Sequence, residues 1–477
     1  MSKKEITLGL APTRRNIFSR EDALSYKVRI EEKLRAWGVR TVNIDWLNEE
    51  GLLHSRADAE AVVRRFRAEG VDAVFAPHCN FGTEDAVARL AKGVGKPFLL
   101  WGPRDEAPLP DGMRLRDTQC GLFATSKVLR RLGVPFSYVI NSRVDSLQFE
   151  RGFKDFLGAA AAANAFLGAR IGQVDTRPAS FWTVMVNEGE LLERWGVQVV
   201  PTTLVDIERA VKRIVADPGQ ILRATAADMQ GKADLSAVSE EIVQRFAALK
   251  LVLQAWAERE ALDAIAIQCW SAMQDALGLY PCFVSSELTA LGLPVACETD
   301  IHGALTAVMV QAAGRYATPI FFADLTIRHP ENDNAELLWH CGPFPVTLAD
   351  PDSPRRVSNH YASAGTIPGV AEWRIRGGDV TLARLDGDRG QYSLLMGHAR
   401  GTSGPHTRGT YLWVEVGNWP RWEQKLIYGP YIHHVVGIHG RLAPVLHEAC
   451  KYIPGLAPDP VEPTADEIQA YWRGEDV

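Results

Sequence analysis

The sequence predicts an α/β chain: two domains built on parallel sheets, followed by a β-rich C-terminal domain. Three observations predict it. Up to about residue 340, short apolar runs alternate with amphipathic helical stretches, the pattern of parallel strands joined by crossover helices. After Pro345 the texture changes to short alternating runs rich in Thr, Val, Gly and Arg, broken by Gly-Asp and Asp-Gly turns, as antiparallel strands are. The length, 477 residues, allows about three domains at roughly 150 residues each.

The elements follow in order. ITLGLA (6–11) reads as a strand and 20–37 as a helix. Strands at 41–45, 72–76 and 97–101 alternate with helices at 56–69 and 82–93. A helix near 119–132 and a strand near 136–140 continue the pattern. The stretch 145–168, with its Ala run, predicts a long helix bridging two domains. RIGQV (170–174) restarts the alternation, with helices near 203–216 and 236–258 and strands near 262–268 and 319–323. VTLAD, AEWRIRG, DVTLARLD, QYSLLMGHARG and GTYLWVEVG then predict antiparallel strands, and a short helix is expected at 442–451. The expected domains are 1–158, 159–345 and 346–477, the second carrying acidic ligands and the third a His ligand.

Composition excludes several classes. With 46% hydrophobic and 23% charged residues, the chain is no disordered segment, coiled coil or collagen. A net charge of −6 without a basic stripe argues against nucleic acid. No apolar run reaches 18 residues and the N-terminal stretch lacks a signal-like apolar core, so no membrane partner is expected and the expected location is cytoplasmic. The seven Cys include no CxxC pair and are expected to be reduced, buried thiols. RIGQV opens no GxGxxG loop, and there is no P-loop, HExxH helix or GxSxG elbow. The 13 Trp offer amphipathic surface of the kind sugar clefts use, although packing uses it more often.

Three segments carry candidate chemistry. In VACETDIHGALT (295–306) a strand-like run meets Glu298 and Asp300 before a helix; alone, these would be helix N-terminal acids favoured by the dipole. In PIFFADLTIRH (319–329) Asp324 follows a buried strand, where an acid is costly unless paired or bound to a metal. Just downstream of this second segment, ELLWHCG (336–342) ends a strand at His340. GPYIHHVVGIHG (429–440) holds His433, His434 and His439; neighbours on a strand point to opposite faces, so one of the adjacent pair is expected in a site. Carboxylates with imidazole suit a hard to borderline divalent ion such as Mn²⁺, with positions left for substrate.

These segments resemble the L-fucose isomerase and L-arabinose isomerase family. CETDIHGALT is similar to its first acidic motif, and FFADLTI followed by LWHCG to the fucose isomerase form of the second. HHVVGIHG is similar to the arabinose isomerase HH motif, with the second His as ligand. RRNIFSRED (14–22) resembles a segment carrying an Arg that reaches the sugar in a neighbouring subunit; HCNFG (78–82) and IQCWSAMQ (267–274) resemble substrate-facing segments. The resemblance implies two Rossmann-like α/β domains with parallel sheets, a β-rich (barrel-like) C-terminal domain, and a homo-oligomer, trimer or hexamer, with sites at subunit interfaces. It implies a metal-dependent aldose–ketose isomerase working through a cis-enediol, with Mn²⁺ or another divalent ion such as Co²⁺ or Mg²⁺. Glu298 and Asp324 match the carboxylates that bind metal and move protons, His434 matches the imidazole ligand, and His340 stands where the arabinose type has a further His ligand. Arabinose isomerases carry the second acid one position earlier, where this chain has Ala323, so the site is expected in the fucose manner. Arg14, Arg15, His78, Asn80, Gln268 and Trp270 are the candidate sugar contacts, and the Arg14–Arg15 pair suits an anionic sugar, sulfonated, phosphorylated or carboxylated, as well as a neutral one. A non-catalytic sugar-binding protein and a metal-dependent aldolase or hydrolase are the competing classes.

Overall fold

The computed structural model describes residues 5–361 and 366–475. The chain forms two compact units. One holds the chain up to Asn164 together with His447–Tyr452 and the C-terminal stretch from Asp466; the other holds Ala165–Leu446 and Ile453–Ala465.

The N-terminal unit is a parallel sheet with strand order β2-β1-β3-β4-β5: β1 Thr7–Leu10, β2 Arg40–Val42, β3 Ala73–Phe75, β4 Phe98–Leu100 and β5 Ser137–Tyr138. Helices at Arg20–Ala36, Arg56–Ala68, Glu84–Val94 and Thr118–Arg131 make the crossovers. Their starts are written in the sequence. Ser19 accepts from the Asp22 N–H, and Ser55 with Asp58 closes a capping box. β1, β3 and β4 are buried throughout, as parallel strands covered on both faces must be.

The larger unit contains two sheets. The first is parallel, with order β7-β6-β8-β9: β6 Arg170–Val174, β7 Gln198–Thr202, β8 Ala264–Ile267 and β9 Val295–Cys297. The second is mixed and has nine strands among the described residues: β10 Phe321–Arg328, β11 Ala335–His340, β12 Arg356–Asn359, β13 Pro368–Arg374, β14 Asp379–Asp388, β15 Gln391–Thr402, β16 Thr410–Glu415, β17 His434–His439 and β18 Leu456–Pro460. Six of these close on themselves. The sequence β16-β11-β10-β17-β14-β15 is antiparallel at every step, and β15 pairs back to β16, giving the barrel that was expected. β13 pairs in parallel with β16 and β18 in parallel with β15, outside the closed ring.

The helix Ile301–Ala313 is buried at every position. Its sequence carries apolar residues on every face rather than on one stripe, with His302, Thr306 and Gln311 as its polar members, as suits a helix covered on every side. It packs on β8 and β9 and also on β14 and β17.

Three expectations change. The apolar run at 319–323 belongs to β10, which lies in the barrel between β11 and β17 rather than in the second parallel sheet. The short link 329–334 to β11 is the reason: it closes a hairpin and cannot carry a parallel crossover. Val346–Leu348, expected as a strand, is a 3₁₀ turn. Helices at Glu188–Trp195, Gln220–Gln230 and Cys282–Ala290 and strand β7 add elements the pattern did not announce.

Candidate active site

β9 ends at Cys297, and the two following residues, Glu298 and Thr299, turn through left-handed backbone with φ of 60° and 59°. Such conformations cost a residue with a side chain of order 1 kcal/mol or more. They carry the chain off the strand end and into the helix 301–313, whose N-cap is Asp300. The Asp300 side chain accepts from the Gly303 N–H at 2.8 Å.

The barrel supplies the other side. Asp324 on β10 stands directly opposite His434 on β17, and directly opposed residues of an antiparallel pair share a face. His340, the last residue of β11, comes from the strand on the opposite side of β10. His434 Nε2 lies 3.0 Å from Glu298 Oε2 and 3.5 Å from Asp324 Oδ1. His340 Nε2 lies 3.9 Å from the same Asp324 oxygen. One ligand atom each from Glu298, His340 and His434 lies within 4.8 Å of the others, and the same is true of Asp324, His433 and His434.

The adjacent histidines divide as alternation requires in burial, with His434 1% and His433 openly exposed. Yet a His433 nitrogen also comes within reach of Asp324, which the alternation argument had not allowed. His433 precedes β17, so the strand's alternation does not bind it. His439 sits at the far end of β17 and bonds the Arg376 carbonyl at 2.9 Å.

The electrostatics favour positive charge here. Burial pushes His434 down, but Asp300, Glu298 and Asp324 outweigh it and raise it to about 10. Burial opposes protonation of His340 too, and Asp324 in particular lifts it to about 9. Burial alone would raise the Glu298 carboxyl; the His434 hydrogen bond, the charges of His340 and His434 and the Trp270 indole hold it below the usual range. Asp300 lies far below it: the Arg384 charge and the His434 bond overcome burial. A proton or a cation meets this demand equally well.

The two histidines differ in their other ring nitrogen. His434 Nδ1 donates to Asp300 Oδ2 at 2.8 Å, so Nε2 is the nitrogen that shares a proton or a cation with the carboxylates. In the neutral ring His340 Nδ1 accepts from the Cys341 N–H at 2.9 Å, which leaves the ring proton on Nε2. Asp324 Oδ1 and His340 Nε2 are buried without a hydrogen-bond partner. Such atoms cost about 1–3 kcal/mol each when left bare. Carboxylate oxygen with imidazole nitrogen is a donor set that can hold Mn²⁺, Co²⁺ or Mg²⁺.

Two further candidates border the cluster. Trp270 donates its indole N–H to Glu298 Oε1 at 3.1 Å and stands edge-on to Phe181 at 5.3 Å. Gln268 follows β8, and its Oε1 is buried without a partner. The remaining four belong to the N-terminal unit and gather around one loop. Arg14 forks onto Glu50. Arg15 lies over the Phe81 ring at 4.1 Å and reaches Glu84 at 3.4 Å. Asn80 Oδ1 accepts from the backbone N–H of Arg15 and Gly82. His78 is fully buried, with Nε2 at 2.8 Å from the Thr125 hydroxyl; burial lowers it to about 4.

Three buried residues beside the cluster escaped the sequence reading: Arg384, Asp386 and His302. Arg384 is fully buried and bonds both Asp300 and Asp386, and His302 Nδ1 donates to Asp386 at 3.0 Å. A signal was present in VTLARLD: two opposite charges, two apart, on one face of an otherwise apolar strand.

Residues 9–167 match the family model described as fucose/sulfoquinovose isomerase, N-terminal domain. A sulfoquinovose isomerase of Priestia aryabhattai is 25% identical over 443 residues, 91% of this chain and 94% of its own. The Priestia megaterium protein of the same name matches to the same extent. A sulfoquinovose isomerase of Alkalicoccus urumqiensis is 25% identical over 68% of this chain and 71% of its own. Among the described residues no helix is long and apolar enough to cross a membrane.

Proposed function

Because the chain belongs to the fucose isomerase-like family, we propose that it is an aldose–ketose isomerase acting on an open-chain sugar, a sulfonated aldose foremost. The observation that carries this reading is the meeting of Glu298, Asp324 and His434, from three distant segments, around buried atoms that have no hydrogen-bond partner. The names of the similar proteins point to the sulfonated substrate.

Glu298, Asp324 and His434 would hold a divalent ion; His340, expected as a further ligand, has its Nδ1 lone pair taken by the Cys341 N–H, so its Nε2 stands beside the set as a donor. Such an ion, when bound, stabilises negative charge developing on neighbouring substrate oxygens as a Lewis acid. The protein supplies the proton traffic. One carboxylate, which we assign to Glu298, accepts the C2 proton of the aldose; Asp324 is its partner, and a proton returns to C1 as the O2 proton passes to O1. Positioned acid–base groups contribute about 10²–10⁴-fold to such steps. Trp270 fixes the Glu298 carboxylate by its indole N–H and leaves the second oxygen toward His434. Gln268 Oε1 is free to accept from a sugar hydroxyl. In this reading Arg14, Arg15, His78 and Asn80 serve the sugar within a homo-oligomer.

The test incubates the protein with sulfoquinovose, L-fucose and L-arabinose, each with Mn²⁺ and each with EDTA, and assays ketose. Ketose from sulfoquinovose only with metal is the expected result, with solvent deuterium at C1 marking the enediol route. A cleaved product would replace the reading with an aldolase or hydrolase, and bound sugar without turnover with a binding protein.

A further inference from the structure

Asp300 has no free lone pair. Its Oδ1 accepts from the Gly303 N–H at 2.8 Å and from Arg384 Nη2 at 3.2 Å. Its Oδ2 accepts from Arg384 Nη1 and from His434 Nδ1. A carboxylate offers about four acceptor sites, and here four donors take them. Asp300 therefore cannot turn toward Glu298 and Asp324, and its one bond to a histidine holds a proton on His434 Nδ1.

Arg384 is held in turn. It is fully buried on β14, two residues from Asp386 and on the same strand face. Its Nε and Nη2 bond Asp386 Oδ2 at 3.0 and 2.8 Å. Asp386 Oδ1 is fixed by His302 Nδ1 at 3.0 Å and by the Gly387 N–H at 2.9 Å. β14 is the barrel neighbour of β17, and it is tied to the helix behind Asp300 by the Leu385 N–H, which donates to Thr306 at 2.9 Å. A planar guanidinium can bridge two carboxylates from one rigid position, which an ammonium cannot.

We infer that Arg384 is a positioning residue: braced by Asp386, it clamps Asp300 so that His434 keeps its proton on Nδ1 and presents Nε2 to the carboxylates. The consequence for a metal rests on the function proposed above. The consequence for the ring does not.

The experiment therefore has two arms, run on the full chain. In the first, metal-free protein labelled with ¹⁵N-histidine is examined by NMR, with His434→Asn used for assignment. Wild type is expected to show a downfield, hydrogen-bonded His434 Nδ1–H, and Arg384→Lys to lose it or move it upfield. In the second, Mn²⁺ alone is titrated calorimetrically into wild type and Arg384→Lys, with circular dichroism as the check on folding. Loss of a partner behind a ligand typically weakens metal binding about 10–100-fold, and that is the loss expected. If Arg384→Lys does not fold, Asp386→Asn, which keeps the Arg384–Asp300 fork but loosens its brace, is expected to show the same changes at smaller size. An unchanged Nδ1–H resonance in a folded variant overturns the inference, as does Mn²⁺ affinity within twofold of wild type. Wild type that binds no Mn²⁺ but loses the resonance on substitution overturns the metal reading and leaves the positioning role standing.

Discussion

At the residue scale, the candidate site depends on a few side chains whose geometry is over-determined. Glu298 sits on left-handed backbone and is gripped by Trp270 on one oxygen and His434 on the other. Glu298→Gln keeps this shape and removes the carboxylate proposed as the base. Turnover is expected to fall by about 10²–10⁴-fold or more with an unchanged circular dichroism spectrum, and near-full activity at saturating Mn²⁺ would remove Glu298 from the role. The acids themselves were legible in the sequence, because an acid at the end of an apolar strand has few structural reasons to be there. Arg384, Asp386 and His302 were not, because a buried ion pair announces itself only when its partner is known, and Asp300 lies 84 residues from Arg384. His340 was legible as a strand end, but which ring nitrogen carries the proton depends on the Cys341 N–H.

At the element scale, register builds the site. Asp324 opposes His434 because β10 and β17 pair at that offset, and a slip of one residue would put Ala323 there instead. The pairing is locked partly by Gly437, which faces Phe321: a Cβ on Gly437 would fall 2.1 Å from the Phe321 ring. Gly437→Ala is expected to destabilise the protein by about 1–3 kcal/mol through overpacking, seen as a lowered urea midpoint with an unchanged slope. An unmoved midpoint would mean the ring swings aside freely. Alternation and turn residues made the strands of the barrel readable. The partner of each strand was not readable in the same way: an apolar run such as PIFFA fits a parallel core strand and a barrel strand equally, and only the short link to β11 decides between them.

At the scale of the whole molecule, proton uptake ties stability to pH. Burial holds His78, His398 and His447 neutral, each lowered to about 4. An unfolded chain, with histidine near its ordinary 6.5, binds protons there that the folded chain does not. Each of these residues therefore withdraws stability as pH falls from about 6.5 to about 4, and none has an effect above that window. His447→Gln removes one such group. Its unfolding free energy relative to wild type is expected to rise steadily from pH 7 to pH 4.5, and a constant difference would show that His447 titrates normally. The barrel has a consequence of a different kind. Asp324 and His434 are rungs of a ring of strands that has no free end from which to fray. Leu325 donates its N–H to the His433 carbonyl within the same seam. Local breathing has no edge at which to begin, so the amides of this seam should exchange with deuterated solvent only when the barrel opens as a unit. Heat would then leave no interval in which the barrel stays folded after the Asp324–His434 seam has opened.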